Sequence, residues 1–188
     1  MTEHVKVSVD NGVMEITWNR PEKKNAITNA MYKAVGDALD RASADKSIRV
    51  ALFTSEGDSF SAGNDISVFA AANSGAATEA PQGHRLIHTL AKFDKPLVAG
   101  VKGVAIGVGT TMLLHCDLVY VATDAKLTTP FVNLALVPEA ASSITLPARI
   151  GHARAFAMFA LGEPVLGEQA VQWGIANAAF PSDKVIAA

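Results

Sequence analysis

The chain has 188 residues, 49% of them hydrophobic, 18% charged and only 6% aromatic. That is enough apolar material for a core and excludes a disordered chain, which would be polar and highly charged. Lys and Arg total 16 against 18 Asp and Glu, and Cys116 is the single cysteine. The balance argues against a basic nucleic-acid binder, and one cysteine excludes a disulfide framework or a Cys-based zinc site.

In chain order, Val5, Val7 and Val9 alternate with polar residues, the period of a half-buried strand. Asp10-Asn11-Gly12 is a tight-turn signal, and Met14, Ile16 and Trp18 then repeat the alternation, so a hairpin is predicted. Arg20-Pro21 ends it, because the residue before proline avoids helical geometry. Thr28 or Asn29 can cap a helix that places Met31, Val35, Ala38, Leu39 and Ala42 on one face. Residues 48–54 read as a buried strand and 55–63 as a loop rich in Gly, Ser and Asp. Asp65 is placed to cap a short helix containing Ile66 and Phe69, and residues 70–83 read as a mobile surface segment.

Residues 84–93 have helical spacing up to Pro96, and 97–101 read as a strand. A glycine-punctuated turn over 103–109 leads into a helix reaching Leu114. Residues 118–122 and 176–180 are predicted strands, and 153–161 and 168–173 predicted helices. Strands alternating with helices give an α/β class. The N-terminus lacks the basic-then-apolar pattern of a secretory signal. The longest uncharged apolar stretch, 103–114, falls short of the roughly 20 residues that span a bilayer. The expectation is a cytoplasmic protein with neither membrane nor nucleic acid as partner.

Several motifs fail. Gly107-Val108-Gly109 begins a dinucleotide fingerprint, but Met112 stands where its third glycine would be; no P-loop and no G-x-S-x-G elbow occurs. His84 and His88 lie one helical turn apart without a third ligand in view, so no metal site is expected. His115 reads as a satisfied core residue rather than a base.

Four segments together carry a resemblance. They are 20–26 (Arg-Pro-Glu-Lys-Lys-Asn-Ala), 60–66 (Phe-Ser-Ala-Gly-Asn-Asp-Ile), 102–109 closing with Cys116-Asp117, and 129–143 with its Pro138-Glu139-Ala140-Ala141-Ser142-Ser143 run. Their order and spacing resemble the crotonase, or enoyl-CoA hydratase/isomerase, superfamily. The resemblance implies a spiral of β-β-α units with two near-perpendicular sheets wrapped by helices. It also implies an acyl-CoA substrate and assembly as a homotrimer or dimer of trimers. The whole chain, 1–188, reads as one core domain, without the C-terminal helical segment usual in that family.

The resemblance further implies that the backbone N–H groups of Ala62 and Val108 hold a thioester oxygen. The local residues suit this. Gly63 frees the backbone beside Ala62, while Gly107 and Gly109 allow close approach around Val108 at a helix start. A tight turn selected for packing explains the same glycines. Family hydratases carry two glutamates where this chain has Thr111 and Phe131, neither of which can act as a carboxylate. Glu139, in its Pro-Glu-x-x-Ser-Ser setting, resembles the single glutamate of the isomerase branch. Burial among Phe131, Val137 and Ile144 would raise its pKa, as suits a group that both accepts and returns a proton. A carboxylate serving a following helix dipole accounts for the residue equally simply.

Lys23, Lys24 and Ala26 match the loop near the CoA adenine and phosphates. Ser61, Gly63 and Gly107 shape the thioester site, and Ile66, Phe69 and Phe131 are candidates for the acyl pocket, while Asp65 reads as a cap. The expected activity is conversion of 3-enoyl-CoA to 2-enoyl-CoA, as in fatty acid metabolism, with no metal and no cofactor beyond the CoA of the substrate. Hydration of an enoyl-CoA or another crotonase-type acyl-CoA reaction, and a non-catalytic acyl-CoA-binding or assembly subunit, are the alternatives.

Overall fold

The computed structural model describes residues 2–67 and 80–188. Strands β1 (Val5–Asp10) and β2 (Val13–Trp18) form the expected hairpin, with Asp10 opposite Val13. Asn11 and Gly12 both take positive φ, 49° and 82°, the primed turn that matches strand twist. Met14, Ile16 and Trp18 are buried, but of the β1 valines only Val5 is; Val7 and Val9 are exposed. Their alternation is real, but β1 is the edge strand, beyond full cover by the helices.

Helix α1 (Asn29–Ala44) starts at Thr28, whose hydroxyl accepts from the Met31 N–H at 3.3 Å. Its predicted apolar face is buried, and Tyr32 is buried with it. Strands β3 (Val50–Ser55), β4 (Leu97–Val101), β6 (Leu118–Ala122) and β9 (Ala178–Phe180) complete a six-stranded sheet ordered β1-β2-β3-β4-β6-β9, parallel after the first pair. Helix α2 (Gln82–Lys92) begins earlier than expected and takes Gln82 and Gly83 out of the supposed surface segment; the rest of that segment, apart from 80–81, lies outside the described residues.

The glycine-rich run is not all turn. Residues β5 (Val104–Ile106) pair in parallel with β7 (Lys126–Thr128), which pairs antiparallel with β8 (Val165–Leu166), making a second, three-stranded sheet. Strands of two or three residues are too short to show a period in sequence. Helix α3 (Val108–Thr111) follows β5 and tightens into a 3₁₀ turn over Met112–His115. Helix α4 (Ser142–Ile150) is the segment after Glu139 whose dipole the sequence left open, and its extent is obscured in the sequence by Pro147 inside it. Helices α5 (His152–Phe156), continued by a π-type turn, and α6 (Gly167–Trp173) finish the chain's helical cover. Among the described residues no helix is long and apolar enough to cross a membrane.

Candidate active site

The loop leaving β3 and the turn leaving β5 are held side by side. The Ser61 N–H donates to the Val104 carbonyl at 3.0 Å and the Ile106 N–H to the Ser61 carbonyl at 2.9 Å. No side chain fits between them. A Cβ on Gly63 (φ 84°) would lie 2.7 Å from the Ile106 carbonyl oxygen, and one on Gly109 3.0 Å from Ser61 Cβ. Gly107, at φ 56° and ψ −119°, turns the chain into α3 through a conformation that side-chain-bearing residues avoid.

The amides of these segments differ in availability. The Ala62 N–H donates to the Lys24 carbonyl at 2.8 Å, so it is spent on the fold and not free to hold a ligand. This corrects the expectation for Ala62. Two residues on, the Asn64 amide donates to no acceptor among the described residues. Asn64 forms a parallel bridge with Ile27, in which Ile27 N–H donates to the Gly63 carbonyl (2.8 Å) and Asp65 N–H to the Ile27 carbonyl (3.0 Å). A bridge residue of this kind turns its own amide away from its partner. Val108, first residue of α3, also keeps an unpaired N–H, as helix starts do.

Glu139 lies on the segment entering α4. Its Oε1 accepts a hydrogen bond from the Thr111 hydroxyl at 2.9 Å. Burial pushes its pKa above the ordinary carboxylate range, while the Thr111 donor and the charge of His84, near the start of α2, oppose the rise. Of the residues expected to bury it, Phe131 is buried, but two are not. Val137 is 80% and Ile144 74% exposed; what faces Glu139 is Thr111 and Tyr32. The Tyr32 phenol is pushed up by burial and then by the negative charge of Glu139, and it donates to the Asn64 side-chain oxygen. Two residues beyond Glu139, Ala140 and Ala141, adopt left-handed φ of 54° and 56°, each costing about 1–2 kcal/mol for a residue with a Cβ.

The other candidates divide. Asp65 caps as expected, its carboxylate accepting from the Ser67 N–H (2.9 Å) and hydroxyl (2.6 Å). Those bonds and the paired Arg20 hold its pKa down at about 2. Phe131 is buried against Phe159, ring centroids 5.9 Å apart. Ile66 is 82% exposed, Phe69 lies outside the described residues, and Lys23 and Lys24 are exposed on the loop after β2. Ala26 uses its carbonyl to accept from Arg20 at 3.0 Å. Among the described residues no three His, Cys, Asp or Glu side chains group to hold a metal.

Residues 8–188 match the family described as Enoyl-CoA hydratase/isomerase. The chain belongs to that family. It is 39% identical over 181 residues to Enoyl-CoA delta isomerase 2 of Rattus norvegicus, covering 94% of this chain and 46% of that protein. It is 34% identical over 180 residues to 1,2-epoxyphenylacetyl-CoA isomerase of Escherichia coli K12, covering 93% of this chain and 69% of that one. The chain thus spans about half the length of the first of these relatives. The crystal structure of an enoyl-CoA hydratase/isomerase from Pseudoalteromonas atlantica T6c superposes with a TM-score of 0.93 at 39% identity, over 98% of this chain and 73% of that one. The fold is therefore the crotonase fold.

Sequence reasoning passed over three residues of this hydroxyl-bearing and amide-bearing cluster. Thr111 stands where family hydratases carry a glutamate, yet it is the donor to the carboxylate present. Tyr32 follows Met31 on the buried face of α1, and a phenol there needs a partner. Asn64 needed the pairing of Ala62 to be known.

Proposed function

We propose that this chain carries the active site of an acyl-CoA isomerase that moves the double bond of a 3-enoyl-CoA to the 2 position. The observation that carries the reading is the 2.9 Å bond between Thr111 and Glu139: the carboxylate faces a hydroxyl, not a second acid. One carboxylate is what a 1,3-proton shift needs. Glu139 takes the proton from C2, the electron pair moves onto the thioester oxygen as a dienolate, and the C3–C4 π electrons are delocalised into it. The carboxylic acid so formed returns the proton to C4, the C2–C3 double bond forms, and the enzyme is unchanged. The free amides of Asn64 and Val108 are the donors assigned to the dienolate oxygen, each worth about 2.7–4 kcal/mol by analogy with other oxyanion sites. The raised pKa of Glu139 suits both halves of the shuttle.

CoA enters as part of the substrate, so the step calls for no separate cofactor. Lys23 and Lys24 are the cations assigned to its phosphates, and Phe131 the wall that keeps water from the acyl chain. Both relatives above carry isomerase in their names, which supports the reading, while hydratases of similar identity stand among the relatives as well. Incubation with 3-hexenoyl-CoA tests the reading. The conjugated thioester accumulates with wild type, and Glu139→Gln lowers the rate by at least about 10²-fold with binding retained. A 3-hydroxyacyl-CoA product would assign the site to hydration. Binding without turnover in wild type would assign it to a non-catalytic subunit.

A further inference from the structure

We infer that His115 is a positioning residue that fixes the direction of the Glu139 carboxylate by clamping the left-handed turn at Ala140–Ala141; this rests on reading Glu139 as the base. The turn that follows Glu139 places two alanines in succession at φ 54° and 56°, where a residue with a Cβ does not settle unless its surroundings hold it. The hold comes from the 3₁₀ turn after α3. His115 Nε2 lies 3.0 Å from the Ala140 carbonyl oxygen, and since a carbonyl only accepts, the proton is on Nε2.

The segment that carries His115 is itself pinned to α4. Arg149 Nη2 donates to the Leu114 carbonyl at 2.9 Å and the Cys116 carbonyl at 3.2 Å, on either side of the histidine. Within the turn, Ser142 N–H donates to the Glu139 carbonyl at 2.9 Å. The Glu139 carbonyl is therefore held by its own turn, the next carbonyl along, that of Ala140, by His115, and the Glu139 carboxylate by the Thr111 hydroxyl. Thr111 and His115 belong to one continuous piece of chain, α3 and its 3₁₀ extension, so one rigid element orients both ends of the base. The His115 ring bonds the Ala140 carbonyl and not the Glu139 carboxylate, so it acts through residue 140.

The test compares His115→Leu, which fills the space without a donor, with His115→Gln, whose amide N–H can reach the same carbonyl. Turnover of 3-hexenoyl-CoA is measured per folded protein, with folding followed by thermal melting. The leucine variant loses at least tenfold in kcat with KM within about twofold of wild type, and the glutamine variant stays within about threefold. Ala140→Gly, which accepts φ 54° without strain, recovers at least a third of the lost rate in the leucine background; a histidine needed only for bulk stability would give no such recovery. Equal losses in the Leu and Gln variants, or a leucine variant with wild-type kcat, overturn the inference. Should the leucine variant not fold, the glutamine variant decides alone, and a tenfold loss there overturns it. Glu139→Gln run alongside separates the two readings. If it is inactive while His115→Leu is unimpaired, only the positioning role falls, whereas full activity in Glu139→Gln removes the base itself.

Discussion

Replacing Thr111 by valine should cost this protein much of its activity while leaving its shape intact. Thr111 is fully buried and valine has nearly its volume, so no cavity opens. What goes is one hydroxyl that donates to Glu139 Oε1 at 2.9 Å. A hydrogen bond to a charged group contributes about 1.5–3 kcal/mol, and each 1.36 kcal/mol is a factor of ten in rate. If that bond orients and stabilises the ionised base, kcat/KM should fall by about 10- to 150-fold. The sign of the pH effect follows from the same bond. Thr111 favours the ionised carboxylate, against the burial that disfavours it. Without the hydroxyl the Glu139 pKa rises further, so the acid limb of the kcat/KM profile moves to higher pH. Initial rates of conjugated-thioester formation across the pH range, for wild type, Thr111→Val and Thr111→Ser, measure both effects, and the serine variant should track wild type. An unchanged profile with kcat/KM within twofold in the valine variant would refute the reasoning.

Glu139→Gln should raise the melting temperature near neutral pH, since burial makes the folded state bind the Glu139 proton more tightly than the unfolded chain. The wild-type stability tied to that proton is complete below the unfolded value of about 4.3 and is lost as pH rises through the folded pKa. The gap between the variants should therefore close in acid, which melting curves at several pH values would register. Asp65 behaves oppositely. Its folded pKa of about 2 makes its contribution present above the unfolded value of about 3.9 and lost as pH falls toward 2, so the stability deficit of Asp65→Asn should shrink over that window in acid denaturation. Gly63→Ala should destabilise by more than about 1 kcal/mol and lower turnover, because its Cβ meets the Ile106 carbonyl at 2.7 Å; urea unfolding paired with rate measurements checks it.

Much of the fold could be read from the sequence where elements are long. The alternation through Met14, Ile16 and Trp18, the turn chemistry of Asn11-Gly12 and the Thr28 cap of α1 are local signals with local consequences, and the structure follows them. The second sheet could not be read in this way. Strands β7 and β8 exist because β5 offers them an edge, not because two or three residues prefer extension. Helix α4 hid behind Pro147, and its start at two left-handed alanines breaks the rule that places glycine or asparagine in such conformations. That breach falls directly after Glu139, and breaches of local rules concentrate at functional or strained sites.

The candidate site shows the same division more sharply. Glu139 and Val108 could be singled out through the family resemblance, because the motif around Glu139 is contiguous and a helix start agrees in leaving the Val108 amide unpaired. Ala62 and Asn64 could not be ranked this way, since both flank Gly63 in one loop and each carries one amide. The choice between them is made by the chain at residues 24–27. Lys24 takes the Ala62 proton, and Ile27 bridges to Asn64 through the neighbouring Gly63 carbonyl and Asp65 amide, which leaves the Asn64 amide directed away from that segment. The segment is held by the left-handed, buried Asn25, whose side chain donates to the Glu56 and Ser59 carbonyls and accepts from Arg20. A loop distant in sequence thus decides which amide of the β3 loop stays free. If so, Asn25→Ala should disturb turnover beyond its effect on stability, because it releases the acceptor that occupies Ala62 and the bridge that turns Asn64.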